Sequence, residues 1–254
     1  MKPSSSFDAR HTADSPRTAR LRDALQVSVQ RVPSLGAAAV AATVTVGALF
    51  LPASAQDAAP EYAEEIRTLL ANPTVSSALE LAEEHDPWAL ELLIELTEIP
   101  APPFMEDVRG QRFAELLMEL GADSVWTDGE GNVIGLRRGT VGDRAIGFGG
   151  HLDTVFPEGT DVSVRQVGDT LFAPGVGDDT RGLVVVLSVL RALEEAGVET
   201  EDDLLFVGVV GEEGLGDLRG MKHIYREGGL RPDVWVEVDG VGLRRRGSKG
   251  ARVG

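Results

Sequence analysis

Three short apolar runs constrain this chain more than any other feature: Ala145 to Gly150, Leu204 to Val210 and Val234 to Val238. Short, β-branched and bounded by Gly or Pro, they have the pattern of buried strands. Helical patterns lie between them, from about Thr180 to Ala196 and from about Leu218 to Glu227. Strands alternating with helices predict an α/β fold, a mostly parallel, doubly wound sheet with helices on both faces. Ligands of such sheets bind at the carboxyl ends of the strands. Here each run leads at once into acid or imidazole: His151-Leu152-Asp153, Glu212-Glu213 and Asp239. A fourth cluster, Asp178-Asp179, stands just before the first of the two helices.

Upstream, from Pro60 to about Asp123, the pattern is helical. Apolar residues recur at three-to-four spacing in Ala63 to Leu70 and in Trp88 to Leu96, and Pro100, Pro102 and Pro103 end the second run. A further amphipathic helix is predicted from about Glu106 to Leu120, with Gly121 closing it. Ser124 to Thr127 and Asn132 to Leu136, separated by Asp128-Gly129-Glu130-Gly131, read as a hairpin.

Charge and composition narrow the chemistry. With 24 basic against 41 acidic side chains, the chain is a poor partner for nucleic acid or anionic lipid. The basic run Gly242 to Arg252 does not change that expectation in so acidic a protein. No cysteine is present, so disulfides, thiolate metal sites and a cysteine nucleophile are excluded. Any metal must be held by oxygen and imidazole.

Residues 1–55 differ in composition from the rest. Lys2, Arg10, Arg17, Arg20, Arg22 and Arg31 precede an uncharged stretch from Val32 to Gln56, and Ala53-Ser54-Ala55 offers a small-x-small cleavage pattern. The expectation is an export signal cut after Ala55, giving a periplasmic or secreted protein. An N-terminal membrane anchor is the alternative, although the apolar part, Gly36 to Leu51, is short of the about 20 residues that a span needs.

Each cluster taken alone has an ordinary explanation. Carboxylates at Asp178-Asp179 cap a helix start, Glu212-Glu213 suits a solvated loop, and Asp239-Gly240 suits a turn. Four such coincidences, all where an α/β sheet builds a site, favour a metal centre instead. Amide hydrolysis needs an activated water and a stabilised oxyanion, which two divalent ions about 3.5–4 Å apart supply together. Zinc suits imidazole and carboxylate ligands, with Mn2+ or Co2+ as alternatives. Adjacent glutamates allow one to ligate while its neighbour takes a proton from water.

The wording of the clusters is also specific. His151-Leu152-Asp153-Thr154-Val155-Phe156-Pro157, Ala173-Pro174-Gly175-Val176-Gly177-Asp178-Asp179-Thr180-Arg181-Gly182, Gly211-Glu212-Glu213-Gly214 and Val238-Asp239-Gly240 resemble the motifs of the co-catalytic di-zinc peptidases. That family includes aminoacylase, glutamate carboxypeptidase and tripeptide aminopeptidase. The four motifs stand in the family's order with similar separations, and Ile99 to Phe104 is similar to the family's opening segment. The resemblance implies a centre of two Zn2+ ions. In it His151 and Asp239 ligate one ion, Asp178 bridges both, Glu213 ligates the other, Asp153 orients His151 and Glu212 is the general base. It also implies a cis peptide between Asp178 and Asp179.

In that family the last zinc ligand is a later histidine, placed after a lid domain that mediates dimerisation. The sequence runs to Gly254, and its other histidines, His11, His85 and His223, stand outside the motifs. The resemblance therefore implies three parts: a signal over 1–55, the N-terminal part of a catalytic domain over 56–240, incomplete at its C-terminus, and the start of a lid over 241–254. A homodimer is expected only with the lid present. The implied reaction is metal-dependent hydrolysis of amide bonds in short peptides, the motif wording being nearest to tripeptide aminopeptidases. Deacylation of N-acyl amino acids on the same metal core, and a non-catalytic metal-binding fragment, are the alternatives.

Overall fold

Proline stands in the first turn of each of the first three helices, where its missing N–H costs nothing. The computed structural model describes residues 60–226 and 229–240, and within them helices α1 (Pro60–Leu70), α2 (Pro73–Glu84) and α3 (Asp86–Thr97) follow one another directly. Between α1 and α2 the Asn72 side chain accepts from the backbone N–H of Thr74 at 2.9 Å and so caps α2. The export signal expected over 1–55 and the lid start expected over 241–254 lie outside the described residues. Among the described residues, no helix is long and apolar enough to cross a membrane.

Helix α4 (Asp107–Glu119) turns Arg109, Phe113, Leu116 and Leu117 inward, the spacing of one buried helical face. Gly121 follows it at φ +97°, a left-handed position that suits a residue without Cβ. Strands β1 (Ser124–Thr127) and β2 (Val133–Arg137) then pair antiparallel as predicted. In the turn, Asp128 Oδ1 accepts from the backbone N–H groups of Glu130, Gly131 and Asn132 at 2.9–3.0 Å.

Beyond β2 come β3 (Ala145–His151), a small separate hairpin of β4 (Arg165–Val167) and β5 (Thr170–Phe172), α5 (Arg181–Ala196), β6 (Asp203–Val209), α6 (Arg219–Tyr225) and β7 (Val234–Glu237). The main sheet has the order β1-β2-β6-β3-β7. β3 pairs parallel with β6 and β7, while β2 is antiparallel to β6 and to β1, so β2 alone runs against the other four. The predicted mostly parallel α/β sheet is thus present.

Alternation along β6 divides the core. Leu204 and Phe206 face α3, α4 and α5, together with Phe113, Leu117, Leu183 and Leu187. Leu205, Val207 and Val209 face the opposite side, where Ile224 and Met221 of α6 and Trp235 cover them. Helices lie on both faces because both sides of β6 are apolar. The path from β3 through α5 reaches β6 on one side, and the path from β6 through α6 reaches β7 on the other side of β3. Such a reversal opens a crevice at the carboxyl ends of the strands.

Candidate metal centre

His151 is the last residue of β3, and its imidazole is almost fully buried. Its Nδ1 lies 2.9 Å from the backbone carbonyl of Asp153 and 3.6 Å from the Asp153 carboxylate, so the carbonyl makes the hydrogen bond. With Nδ1–H donating there, Nε2 faces Asp178 Oδ1 at 3.0 Å, where a protonated Nε2 donates to the carboxylate. Donation from one ring nitrogen to a backbone carbonyl is how a ligating imidazole is ordinarily oriented.

The segment after His151 is fixed by a buried cation. Arg109 on α4 donates from Nη1 to the Leu152 carbonyl at 2.9 Å, and from Nε and Nη2 to the Ile99 carbonyl at 3.1 and 2.7 Å. Burial lowers its guanidinium to about 10, against the pull of Asp153. Sequence reasoning misses Arg109, because a helical arginine gives no sign of facing inward.

Asp153 has no exposed surface. Its two carboxylate oxygens accept from the backbone N–H groups of Glu212 and Glu213 at 3.0 and 2.9 Å. Burial works to raise its carboxyl, but the neighbouring His151 and these two bonds together hold it below the usual range. The paired glutamates leave β6 through Gly211 at φ +61° and are half-buried. Burial raises both glutamate carboxyls, with help from Asp178 and neighbouring acids.

The peptide between Asp178 and Asp179 is cis, and the two side chains part company there. Asp178 is exposed and faces His151, whereas Asp179 is fully buried. Asp179 Oδ2 accepts from the backbone N–H of His151 and Oδ1 from that of Gly182, each at 3.0 Å. It is thus both a cap for α5 and a tie to the end of β3. Burial pushes its carboxyl up to about 8, although His151 pulls the other way. Gly150 and Gly182 allow this closeness: a Cβ at Gly150 would sit 2.9 Å from Asp179 Oδ2 and 3.0 Å from the α5 backbone.

Asp239 follows β7 by two residues and is exposed. Two groups of donors converge: His151 with Asp178 and Asp239, and His151 with Glu212 and Glu213, the ligand atoms of each lying within 4.8 Å of one another. Burial disfavours a charged His151, but the carboxylates of Asp153, Asp179 and Asp178 outweigh it and raise the imidazole to about 10. The same field favours a divalent cation. The remaining described histidines are elsewhere: His85 Nε2 contacts Glu195 at 2.9 Å, and His223 lies 3.8 Å from Asp128.

In comparison with known proteins, residues 147–248 match the family described as peptidase family M20/M25/M40. The match covers this segment, less than half of the chain. A putative LysW-lysine/LysW-ornithine hydrolase of Pyrococcus abyssi is 35% identical over 126 residues, covering 50% of this chain and 34% of the relative. An N-carbamoyl-L-amino-acid amidohydrolase of Paenarthrobacter aurescens is 33% identical over 133 residues, covering 50% of this chain and 28% of the relative. The chain thus spans about a third of the length of these curated relatives. In fold, it is similar to aminopeptidase PepT from Bacillus cereus, with a TM-score of 0.52 and 24% identity over 61% of this chain and 43% of the other.

Proposed function

We propose that this M20/M25/M40 segment is part of a metal-dependent amidohydrolase that cleaves amide bonds in short peptides, with Glu212 as general base. The observation that carries the reading is the convergence of His151, Asp178, Asp239, Glu212 and Glu213 at the carboxyl ends of β3, β6 and β7.

The donors fit a metal by their chemistry. One imidazole whose Nε2 faces carboxylates, with no thiolate, suits Zn2+, and Mn2+ or Co2+ share the preference. In this reading His151 and Asp239 would hold one ion, Glu213 would hold a second, and Asp178 would be shared between them. A bound pair supplies Lewis-acid polarisation of the scissile carbonyl and a lowered pKa for the attacking water.

The chain's own groups do the rest. Glu212 takes a proton from the attacking water as its oxygen adds to the carbonyl carbon, and returns that proton to the amide nitrogen, after which the C–N bond breaks and the amine leaves. Burial brings the Glu212 carboxyl closer to neutrality, where a base accepts and releases a proton with less penalty. Asp153 holds the backbone of both glutamates, so base and ligand keep a fixed separation. The preference for di- or tripeptides rests on the motif wording. Export through a signal over 1–55, and a dimer formed through a lid, belong to the same proposal.

The deciding experiment pairs metal analysis with hydrolysis of di- and tripeptides by the protein carrying this chain. Chelation is expected to abolish turnover, and Glu212→Gln to lower it about 10²–10⁴-fold with metal content unchanged. Turnover that survives chelation, or a Glu212→Gln protein as active as the parent, would sink the reading.

A further inference from the structure

Strand β6 leaves the sheet just before the paired glutamates, and that exit has to be held. The β2–β6 ladder ends at Val133 paired with Gly208, so Val210 lies beyond strand pairing on that side. Its N–H is nevertheless bonded, to the side-chain Oδ1 of Asn132 at 3.0 Å. Asn132 has no exposed surface, and its Nδ2 donates to the Gly220 carbonyl at 3.1 Å and to Asp128 Oδ2 at 2.8 Å. One carboxamide therefore joins the β1–β2 turn, the end of β6 and the first turn of α6. Gly220 leaves room for it, since a Cβ there would collide with Asn132 Oδ1.

The backbone that follows is tied at successive groups. The Val210 carbonyl accepts from Gly220 N–H at 3.0 Å and the Gly211 carbonyl from Arg219 N–H at 3.2 Å. The Glu212 and Glu213 N–H groups go to Asp153. Asp153 grips the glutamates from the β3 side. Asn132 grips the start of the same segment from the β2 side, through a neutral side chain that stands outside the acidic cluster.

We infer that Asn132 is a positioning residue for the reaction, fixing the segment that carries Glu212 and Glu213 relative to His151. The inference rests on the metal-centre reading for its consequence and on the hydrogen bonds above for its geometry. Alanine at 132 removes the acceptor for Val210 and frees two partners, the buried Gly220 carbonyl and the part-buried Asp128 Oδ2. Asn132→Asp keeps the acceptor but sets a carboxylate oxygen against both Asp128 Oδ2 and the Gly220 carbonyl. Adding Asp128→Asn restores the first of these contacts, because a carboxamide at position 128 donates to the new carboxylate and still accepts the turn N–H groups through its oxygen, while the Gly220 carbonyl stays without its donor.

The test compares the whole chain with Asn132→Ala, Asn132→Asp and Asn132→Asp/Asp128→Asn by amide hydrogen exchange and by calorimetric titration with Zn2+. Asn132→Ala is expected to lose protection at Val210, Glu212 and Glu213 while Leu205 and Phe206 keep theirs, and Zn2+ affinity is expected to fall about 10–100-fold. The double variant is expected to regain protection at Val210 and part of the affinity that Asn132→Asp loses. Should Asn132→Ala fail to fold, the single and double aspartate variants make the same comparison. Uniform loss of protection along β6, unchanged Zn2+ affinity, or no gain in the double variant over Asn132→Asp overturns the assignment. If the parent chain binds no divalent ion, the metal-centre reading fails separately, and exchange at Val210 to Glu213 still decides whether Asn132 holds the segment.

Discussion

The acids around His151 form two layers that behave differently. Asp153 and Asp179 lie beneath it without exposed surface, and each spends its carboxylate on two backbone N–H groups. Asp178, Asp239, Glu212 and Glu213 form an upper rim, exposed or half-buried, and no backbone N–H outside their own turn donates to them among the described residues. Asp178 and Asp179 show the contrast most sharply, being adjacent in sequence, with one side chain 57% exposed and the other fully buried. A buried carboxylate must satisfy its lone pairs within the protein and becomes scaffold. A rim carboxylate keeps its lone pairs for a cation.

The largest expected effect tests the rim. Asp178→Ala should weaken divalent-metal binding by more than the about 10–100-fold typical of losing an outer partner, with little change in the unfolding midpoint. Calorimetry against chemical denaturation reads both. The same titration carries a proton signature. With His151 raised to about 10, the metal-free imidazole is protonated at pH 7, so metal binding there should release a proton. Affinity should therefore fall as pH is lowered, and titrations in buffers of different ionisation enthalpy should give different apparent heats. Equal heats in all buffers would contradict the assignment of His151 as a ligand.

Next in size is the inner layer. Asp179→Ala leaves the N–H groups of His151 and Gly182 without acceptors, at about 1–3 kcal/mol each. It should lower the denaturant midpoint clearly. An Asp179→Ala protein as stable as the parent would erase the distinction between the layers. Gly182→Ala should cost less, about 1–3 kcal/mol, because its Cβ would press on the Asp179 carboxylate and the Val238 carbonyl. The smallest effect belongs far from the site. Arg112 contacts Glu95, Glu115 and Glu119 on the exposed side of α4, and Arg112→Ala should change stability by under about 1 kcal/mol.

Local pattern carried much of this protein. The apolar runs ending near Gly150, Val210 and Val238 became β3, β6 and β7 because strand and helix periodicity are written in neighbouring residues. The helix after Asp178-Asp179 and the β1–β2 hairpin were legible for the same reason. Helix α2 and the β4–β5 hairpin were not singled out: α2 has no fully buried residue, and two three-residue strands are too short for a period to show. Glu212, Glu213 and Asp239 were legible as candidates because they stand just behind strands, and Asp178 because it stands just before a helix, both local features.

What tertiary structure alone decided is which carboxylate faces which way and what holds it there. By local pattern Asp178 and Asp179 are equivalent, although the family resemblance singles out Asp178, and it is the approach of α5 to β3 that buries one and exposes the other. Arg109, Asn132 and Asp153 act on partners 43 to 88 residues away. Such contacts exist only after the sheet has brought the segments together, so no local pattern encodes them. The sequence determined which groups could make a metal site, and the packing of β2, β6 and β3 decided how those groups are aimed.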